Sequence, residues 1–292
     1  MDPFEEFRPL LFSIAYEITS SATDADDVLQ EAYLRWAQID QATVENPRAY
    51  LAQTVSRQAL NHLRTRKRRR EEYVGNWLPE PILTSPDAST DVVLAESVSM
   101  AMLLVLETLG PTERAVFVLR EAFGFSHAEI AETVGKTEAS VRQIAHRARE
   151  HVQARRKRFA PARDTADAVA ASFFRAATTG DVASLLDMLA PDVVMLSDGG
   201  GVVNTARRPV VGADHVARFV VGIVAKQPPG LAYEFASLNG VPAVVARRAD
   251  GSVDTVVMVE ADGETVTGLY MVRNPAKLAT IDRRRDVQHG HA

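Results

Sequence analysis

The chain has no cysteine among its 292 residues, which excludes disulfides, thiol switches and cysteine-ligated zinc. No apolar run approaches the ~18 residues that a membrane-spanning helix needs. The opening residues, Met1-Asp2-Pro3-Phe4-Glu5-Glu6, are acidic and carry no signal-peptide pattern, so the cytoplasm is the expected location. A disordered composition is missing too: 46% of residues are hydrophobic and 24% charged, which is ordinary for a globular protein. The length suits about two domains.

An overall positive charge is also absent, since the net charge is −5. The local distribution differs. Residues 57–70 hold Arg57, Arg64, Arg66, Lys67, Arg68, Arg69 and Arg70 and no acid. Residues 142–158 hold Arg142, Arg147, Arg149, Arg155, Arg156, Lys157 and Arg158 against one acid, Glu150. Phosphate binding needs local positive potential, not a basic chain.

Helical spacing of Phe4, Phe7, Leu10, Leu11, Ile14 and Ile18 predicts a first helix over 4–19. Thr23, followed by Asp24, Asp26 and Asp27, reads as the cap of a second helix that buries Val28, Leu29, Ala32, Tyr33 and Trp36. Asn46-Pro47 opens a third, with asparagine as cap and proline at the first position. Residues 75–91, rich in Pro, Gly, Ser and Asp, read as a linker. The apolar stretch from Val92 to Leu109 stops at Gly110-Pro111, and another helix follows over 112–123. Ser126 and Glu129 form a capping box before a short helix, Gly135-Lys136 makes a turn, and Thr137 caps a second helix burying Val141, Ile144, Ala145 and Ala148. That is a helix-turn-helix pattern.

Beyond Ala160-Pro161 the character changes. Two helical segments, 164–178 and 181–190, precede short apolar runs at Val193 to Leu196, Val202-Val203, Val241 to Ala246, Val253 to Glu260 and Val266 to Val272, with a helix over Val211 to Ala225. Asp250-Gly251 and Asp262-Gly263 are hairpin signals. The expected fold of this half is α+β, with helices packed on a curved antiparallel sheet.

Two constellations carry chemistry. The basic helix offers Arg57, Asn61, His62 and Arg64, with the aromatics Trp36 and Tyr50 near in sequence; such groups bind phosphates, base edges and unpaired bases, although a solvated basic helix end would look alike. The second helix of the helix-turn-helix turns Glu138, Ser140, Arg142, Gln143, His146, Arg147 and Arg149 outward. Arginine reads guanine bidentately in the major groove and glutamine reads adenine.

The segment from Asp24 to Trp36, DADDVLQEAYLRW, the segment Asn46-Pro47-Arg48-Ala49-Tyr50-Leu51, and Thr137 to Glu150, TEASVRQIAHRARE, together resemble the extracytoplasmic-function sigma factors. Trp77-Leu78-Pro79-Glu80-Pro81 resembles the WLPEP signature of the subfamily with a fused SnoaL-like carboxy-terminal domain. Asp198-Gly199-Gly200-Gly201 resembles its DGGGK motif, with Val202 in place of lysine, and Asn274-Pro275-Ala276-Lys277-Leu278 its NPDKL motif, with Ala276 in place of aspartate.

The resemblance implies two all-α sigma domains followed by an α+β SnoaL-like cone. It divides the chain into region 2 (1–72), a linker (73–91), region 4 (92–158), a SnoaL-like regulatory domain (162–282) and a flexible tail (283–292). It implies that Asp27, Gln30, Glu31 and Arg35 hold the β and β′ subunits of core RNA polymerase. Arg57, Asn61 and Arg64 would face the −10 element of promoter DNA, and Ser140, Arg142, Gln143 and His146 the −35 element. Many members carry an aspartate where this chain has Asn61. The interdomain regulatory residues would be Trp77, Leu78, Pro79, Glu80, Pro81, Asp198, Gly199, Gly200, Gly201, Asn274, Pro275, Lys277 and Leu278. In one reading Trp77 docks on the carboxy-terminal domain; in the other the linker packs on region 2.

The resemblance further implies regulation in cis, with no separate anti-sigma factor required. No enzymatic activity, cofactor or metal is expected. Asp192, Asp198 and His215 are the candidates for acid–base work should the domain instead be an enzyme or a small-molecule sensor, in which case a ligand would occupy its pocket. Arg283, Arg284, Arg285, His289 and His291 read as a solvated end.

Overall fold

The computed structural model describes residues 2–70, 73–84, 97–155 and 163–289. The side chains of Arg66, Lys67, Arg68, Arg69 and Arg70, the later part of the expected linker from Ser85 on, the start of the apolar stretch at Val92, the basic residues Arg156, Lys157 and Arg158, the Ala160-Pro161 junction and His291 lie outside the described residues. The chain divides into two compact units: residues 2–70, 97–155 and 285–289 in the first, 73–84 and 163–284 in the second.

The first unit is all helical. Helix α1 (Pro3–Thr19) starts where the Asp2 side chain accepts a hydrogen bond from Phe4 N and stops at Ser20, which takes the left-handed conformation. Helix α2 (Ala22–Trp36) is capped by Ser21, whose hydroxyl accepts from Asp24 N at 3.1 Å. The expected cap, Thr23, sits exposed in the first turn instead, because Ser21 already has the extended backbone that a cap requires. Helix α3 (Pro47–Arg70) is capped as expected by Asn46, which accepts from Ala49 N at 3.0 Å. The three bury Leu11, Ile14, Val28, Leu29, Trp36, Leu51 and Val55. Tyr33, expected inside, is 40% exposed and meets the edge of the Phe4 ring.

Helices α4 (Met100–Glu107), α5 (Pro111–Glu121), α6 (His127–Val134) and α7 (Glu138–Arg155) complete the unit. Its last part comes from the far end of the chain. The flexible, solvated tail expected from residue 283 is corrected here. Arg285 pairs with Asp26 and lies over the Phe12 ring, Gln288 N donates to Ser13 Oγ, and His289 is buried against Glu17. The Arg285 and His289 side chains and the Gln288 backbone amide are held because each finds a charged or hydroxyl partner on α1 or α2.

The second unit is α+β. Helices α8 (Arg163–Thr179), α9 (Val182–Met188) and α10 (Ala213–Val224) cover one face of an eight-stranded sheet. Its strands are β1 (Leu83–Thr84), β2 (Leu189–Asp198), β3 (Val210–Val211), β4 (Ala232–Leu238), β5 (Val241–Arg247), β6 (Val253–Asp262), β7 (Thr265–Val272) and β8 (Arg284–Arg285), in the order β3-β2-β7-β6-β5-β4-β1-β8. Phe173, Leu185, Val193, Val216, Leu269 and Met271 lie in the core between helices and sheet. Helix α11 (Pro275–Leu278) follows β7.

Two expectations are corrected in this unit. The sheet is mixed, not antiparallel, because β2 and β7 run parallel, from Leu189 opposite Val266 to Asp198 opposite Val272. A long crossover joins them, which permits the parallel direction that a hairpin forbids. Val202-Val203 is not a strand: both amides bond back to the Gly199 carbonyl, and Val202 is 78% exposed. The Asp250-Gly251 and Asp262-Gly263 turns do join antiparallel pairs, β5–β6 and β6–β7.

Candidate nucleic-acid interface and linker clamp

The helix-turn-helix is built by local chemistry. Ser126 Oγ accepts from Glu129 N, and Glu129 Oε2 accepts from Ser126 N at 2.8 Å, satisfying two amides that α6 would otherwise leave open. Gly135 ends α6 at φ +70°, where a side chain would be strained. Thr137 Oγ1 accepts from Ser140 N and starts α7. Ile130 and Val134 bury against the same core as Val141, Ile144 and Ala148, which leaves the opposite face of α7 open.

On that face Arg142, Gln143, His146, Arg147 and Arg149 are exposed and Ser140 is half-buried. Arg142 pairs with Glu138, His146 lies 3.6 Å from Glu150, and Arg149 is bound to Glu121, a bond that raises its pKa above the ordinary arginine value. Among the described residues, Gln143 and Arg147 have no side-chain partner and are free to meet base edges or phosphates.

On α3, Arg57, Asn61 and Arg64 are exposed in one stripe. Arg57 Nη2 donates to the Glu132 carbonyl at 2.8 Å, and Arg64 Nη2 reaches Thr112 Oγ1 at 3.4 Å. His62 Nε2 lies 3.4 Å from Glu31. Asp27, Gln30, Glu31 and Arg35 are all exposed on α2. Trp36 is not available to stack on a base: it is 1% exposed and its indole donates to Asp2. Tyr50, partly buried, is 5.8 Å from it.

The linker motif and the two carboxy-terminal motifs meet in the second unit. Asp198, at the end of β2, is fully buried. Its Oδ1 accepts from Tyr73 Oη at 2.5 Å and Gly200 N at 2.9 Å; its Oδ2 accepts from Leu78 N at 2.9 Å and Lys277 Nζ at 2.7 Å. Lys277 also donates to the Leu78 carbonyl and lies 4.2 Å from the centre of the Trp77 ring and 5.0 Å from that of Tyr73. Lysine and carboxylate thus grip both backbone polar groups of Leu78, while two aromatic rings flank the ammonium.

Asn274 caps α11 through Ala276 N and donates to Tyr73 Oη at 2.8 Å. A Cβ on Gly200, whose φ is +65°, would sit 2.6 Å from Asn274, so the close approach requires glycine. Leu78, Pro79, Glu80 and Pro81 are buried, and Ile82 N donates to Asn239 Oδ1 at 3.0 Å. Pro275 is exposed, and Leu278 is buried beside Lys277. The two positions that depart from the motifs, Val202 and Ala276, are both exposed. The buried network forms without them.

Tyr73 was not among the expected residues, although an aromatic four positions before Trp77 is a signal that could have found it. Asp192 and His215 are exposed, and Asp198 is saturated by donors. Asp198 is thus occupied by the linker clamp. An open groove lined by Arg207, Arg208, Val211, His215, Arg218 and Phe219 contains the histidine but neither aspartate.

The Sigma-70 region 2 family matches residues 3–69, and the Sigma-70, region 4 family matches residues 99–152. Over 288 residues the chain is 40% identical to the ECF RNA polymerase sigma factor SigJ of Mycobacterium tuberculosis, covering 94% of this chain and 91% of that protein. The chain belongs to the extracytoplasmic-function sigma factors. A second relative of this sigma factor, the probable ECF RNA polymerase sigma factor SigI of the same species, is 30% identical over 277 residues, covering 93% and 92%. The crystal structure of Mycobacterium tuberculosis SigJ superposes with a TM-score of 0.78 at 35% identity, over 96% of this chain and 98% of that one. The match spans the α+β unit as well as the helical one. As a sigma factor the protein directs RNA polymerase to promoters, and core polymerase and promoter DNA are its partners. Among the described residues no helix is long and apolar enough to cross a membrane.

Proposed function

We propose that this sigma factor is regulated in cis by its α+β domain, through that domain's hold on the linker between regions 2 and 4. The observation that carries this reading is the buried Asp198–Lys277 pair closed around Leu78. A domain that binds the middle of a tether restricts where the two ends can go. Release of that hold changes the spacing at which regions 2 and 4 meet promoter DNA, and a signal acts by preferring the held or the released state. A separate anti-sigma protein is then not required, and the α+β domain works by binding, without catalysis, in the cytoplasm.

In this reading region 2 (1–72) holds core polymerase through Asp27, Gln30, Glu31 and Arg35 and reads the −10 element with Arg57, Asn61 and Arg64. Region 4 (92–158) reads the −35 element with Ser140, Arg142, Gln143 and His146. The exposure of all these groups except half-buried Ser140 supports the assignment. The regulatory residues are those of the three motifs, with the linker at 73–91 and the regulatory domain at 162–282.

Run-off transcription on total genomic DNA with purified core polymerase tests it. Full-length protein is expected to yield discrete starts that share two upstream elements. A Lys277→Met variant is expected to change the yield from those same starts. No polymerase-dependent start would refute the promoter assignments; an unchanged yield would refute the cis-regulatory one.

A further inference from the structure

Within the α+β unit, the groove that contains His215 lies at one edge of the sheet. Strand β3 ends the strand order and pairs with β2 alone, Val211 opposite Val194 and Val210 opposite Met195. The chain then turns at Gly212, whose φ of +93° suits glycine, and enters α10. The Gly212 amide donates to the Val193 carbonyl at 2.9 Å, and the Ala206 carbonyl accepts from Asn76 Nδ2 at 3.2 Å. Both ends of the segment that forms one wall are therefore fixed in advance, which spares a ligand the cost of ordering it. The groove has a volume of about 800 Å³, within the ~300–1,000 Å³ usual for small-molecule sites.

Its charge is positive. Arg207 and Arg208 are exposed, and among the described residues neither side chain has a hydrogen-bond or ion-pair partner. Asp214, the acid of the first turn of α10, is taken up by Arg218, whose Nε donates to both carboxylate oxygens at 2.9 Å. The Arg207 and Arg208 charges are thus left uncompensated by that carboxylate. His215 Nδ1 lies 3.1 Å from the Val211 carbonyl. A carbonyl only accepts, so Nδ1 carries a proton, and Nε2 has no partner among the described residues. Helix α10 starts between Val211 and His215, and Gly212 at its cap offers no side-chain acceptor. Its open amides add partial positive charge at the same end.

Charge is only half of the lining. Val211 is 53% exposed, Pro209 is exposed, and Phe219 is half-buried in the same groove. Guanidinium forks match the oxygens of a phosphate or carboxylate two at a time. Apolar groups beside them suit a ligand with a second, apolar part. A nucleic-acid backbone presents charge without that part and would leave Val211 and Phe219 unused. We propose that this groove binds a small organic anion, a phosphate or carboxylate on an aromatic or aliphatic body, with Arg207 and Arg208 holding the head and Val211 and Phe219 the body. No groove residue belongs to the linker clamp, so the site stands independently of regulation through Leu78.

Isothermal titration of the full-length chain with phenyl phosphate and, separately, benzoate tests the site. Saturable binding is expected, with a Kd on the order of 1 mM for so small a probe. The tighter of the two identifies the head group. Arg207→Ala/Arg208→Ala, at two exposed positions, is expected to weaken binding about tenfold or more, since two charge-assisted contacts are lost. Val211→Glu, which places a carboxylate in the groove, is expected to weaken it at least as much. Inorganic phosphate and benzyl alcohol, each lacking one half of the probe, are expected to bind about tenfold more weakly than phenyl phosphate. No saturable binding of either anion up to about 10 mM would overturn the site. Equal affinity of parent and double variant would overturn it too, by placing the binding elsewhere. Equal affinity for inorganic phosphate would refute the role of the apolar wall, and equal affinity for benzyl alcohol that of the arginines. Weaker binding of an unrelated DNA duplex by the double variant, with no phenyl phosphate bound by the parent, would make the groove a nucleic-acid surface instead.

Discussion

Lys277 Nζ lies 2.7 Å from Asp198 Oδ2 with both side chains shielded from solvent, and the same ammonium faces the Trp77 ring at 4.2 Å. The residues are 79 positions apart, and between them they hold a linker residue, Leu78, that is 120 positions before Asp198. A buried ion pair is not in itself evidence of stability, because desolvation offsets attraction. Its value here is that Asp198 satisfies four donors at once, and three of them belong to other parts of the chain.

Removing one member leaves an uncompensated buried charge. Lys277→Met and Asp198→Asn are each expected to destabilise the protein by about 3–5 kcal/mol. The double variant is expected to cost less than the sum of the two, with a coupling of about 2 kcal/mol or more. Chemical denaturation of the full-length chain, followed as a double-mutant cycle, measures both. Additive losses would show that the two groups do not act as a pair.

Trp77 contributes a face to the ammonium. Trp77→Ala is expected to cost about 1–3 kcal/mol, and Trp77→Phe less than half of that, since a smaller ring keeps a weaker cation–π contact. If Trp77 matters only as apolar bulk, Trp77→Leu will be as good as Trp77→Phe in the same denaturation assay.

Promoter reading divides by chemistry. Gln143→Ala is expected to relax the preference at one base pair of the −35 element, at a cost of about 1–3 kcal/mol on the preferred base alone. Arg57→Ala and Arg64→Ala are expected to weaken melting at the −10 element across sequences. Competitive run-off transcription on single-base promoter variants separates the two behaviours. A uniform loss for Gln143→Ala would make it a backbone contact.

Tyr270 donates to Glu260 Oε2 at 2.9 Å on the sheet face opposite the helices, and both side chains are buried. Burial first, and then the adjacent carboxylate, push the Tyr270 hydroxyl well above its ordinary value. The unfolded chain ionises this group near its ordinary value while the folded chain keeps it protonated. Stability is therefore unaffected below about pH 10 and falls above it, by up to about 1.4 kcal/mol per pH unit. Tyr270→Phe is expected to flatten that part of the curve. Denaturation midpoints between pH 8 and pH 11 for parent and variant provide the check.

The elements that local chemistry dictates are legible in the sequence alone. The Ser126–Glu129 capping box, the Gly135 turn and the Thr137 cap place α6 and α7 without tertiary information, as Asn46-Pro47 places α3 and the Asp-Gly pairs place two hairpins. What was not legible depends on partners far away in sequence. His289 looks like a solvated histidine until it meets Glu17, 272 positions earlier. The Leu83–Thr84 strand sits in a proline-rich stretch and exists only because Leu83 pairs with Leu238. The parallel β2–β7 pairing has no local signature, since alternation reads the same in either direction. Tyr33 shows the limit of periodicity: its position beside the buried stripe suggests burial, yet it is 40% exposed.

Region 4 is, in sequence, an insertion within the α+β domain, whose first strand precedes it and whose remaining strands follow it. That order imposes a timetable on synthesis. Regions 2 and 4 have left the ribosome once residue 155 has cleared it, whereas the sheet that pairs with Leu83 is incomplete until the chain approaches residue 284. At about 5–20 residues per second, those roughly 130 residues take about 6–25 s. For that interval each nascent molecule carries both DNA-reading regions without Lys277 or His289. The grip of Lys277 on Leu78 that we propose as the regulatory hold therefore forms late, after both DNA-reading regions have been made.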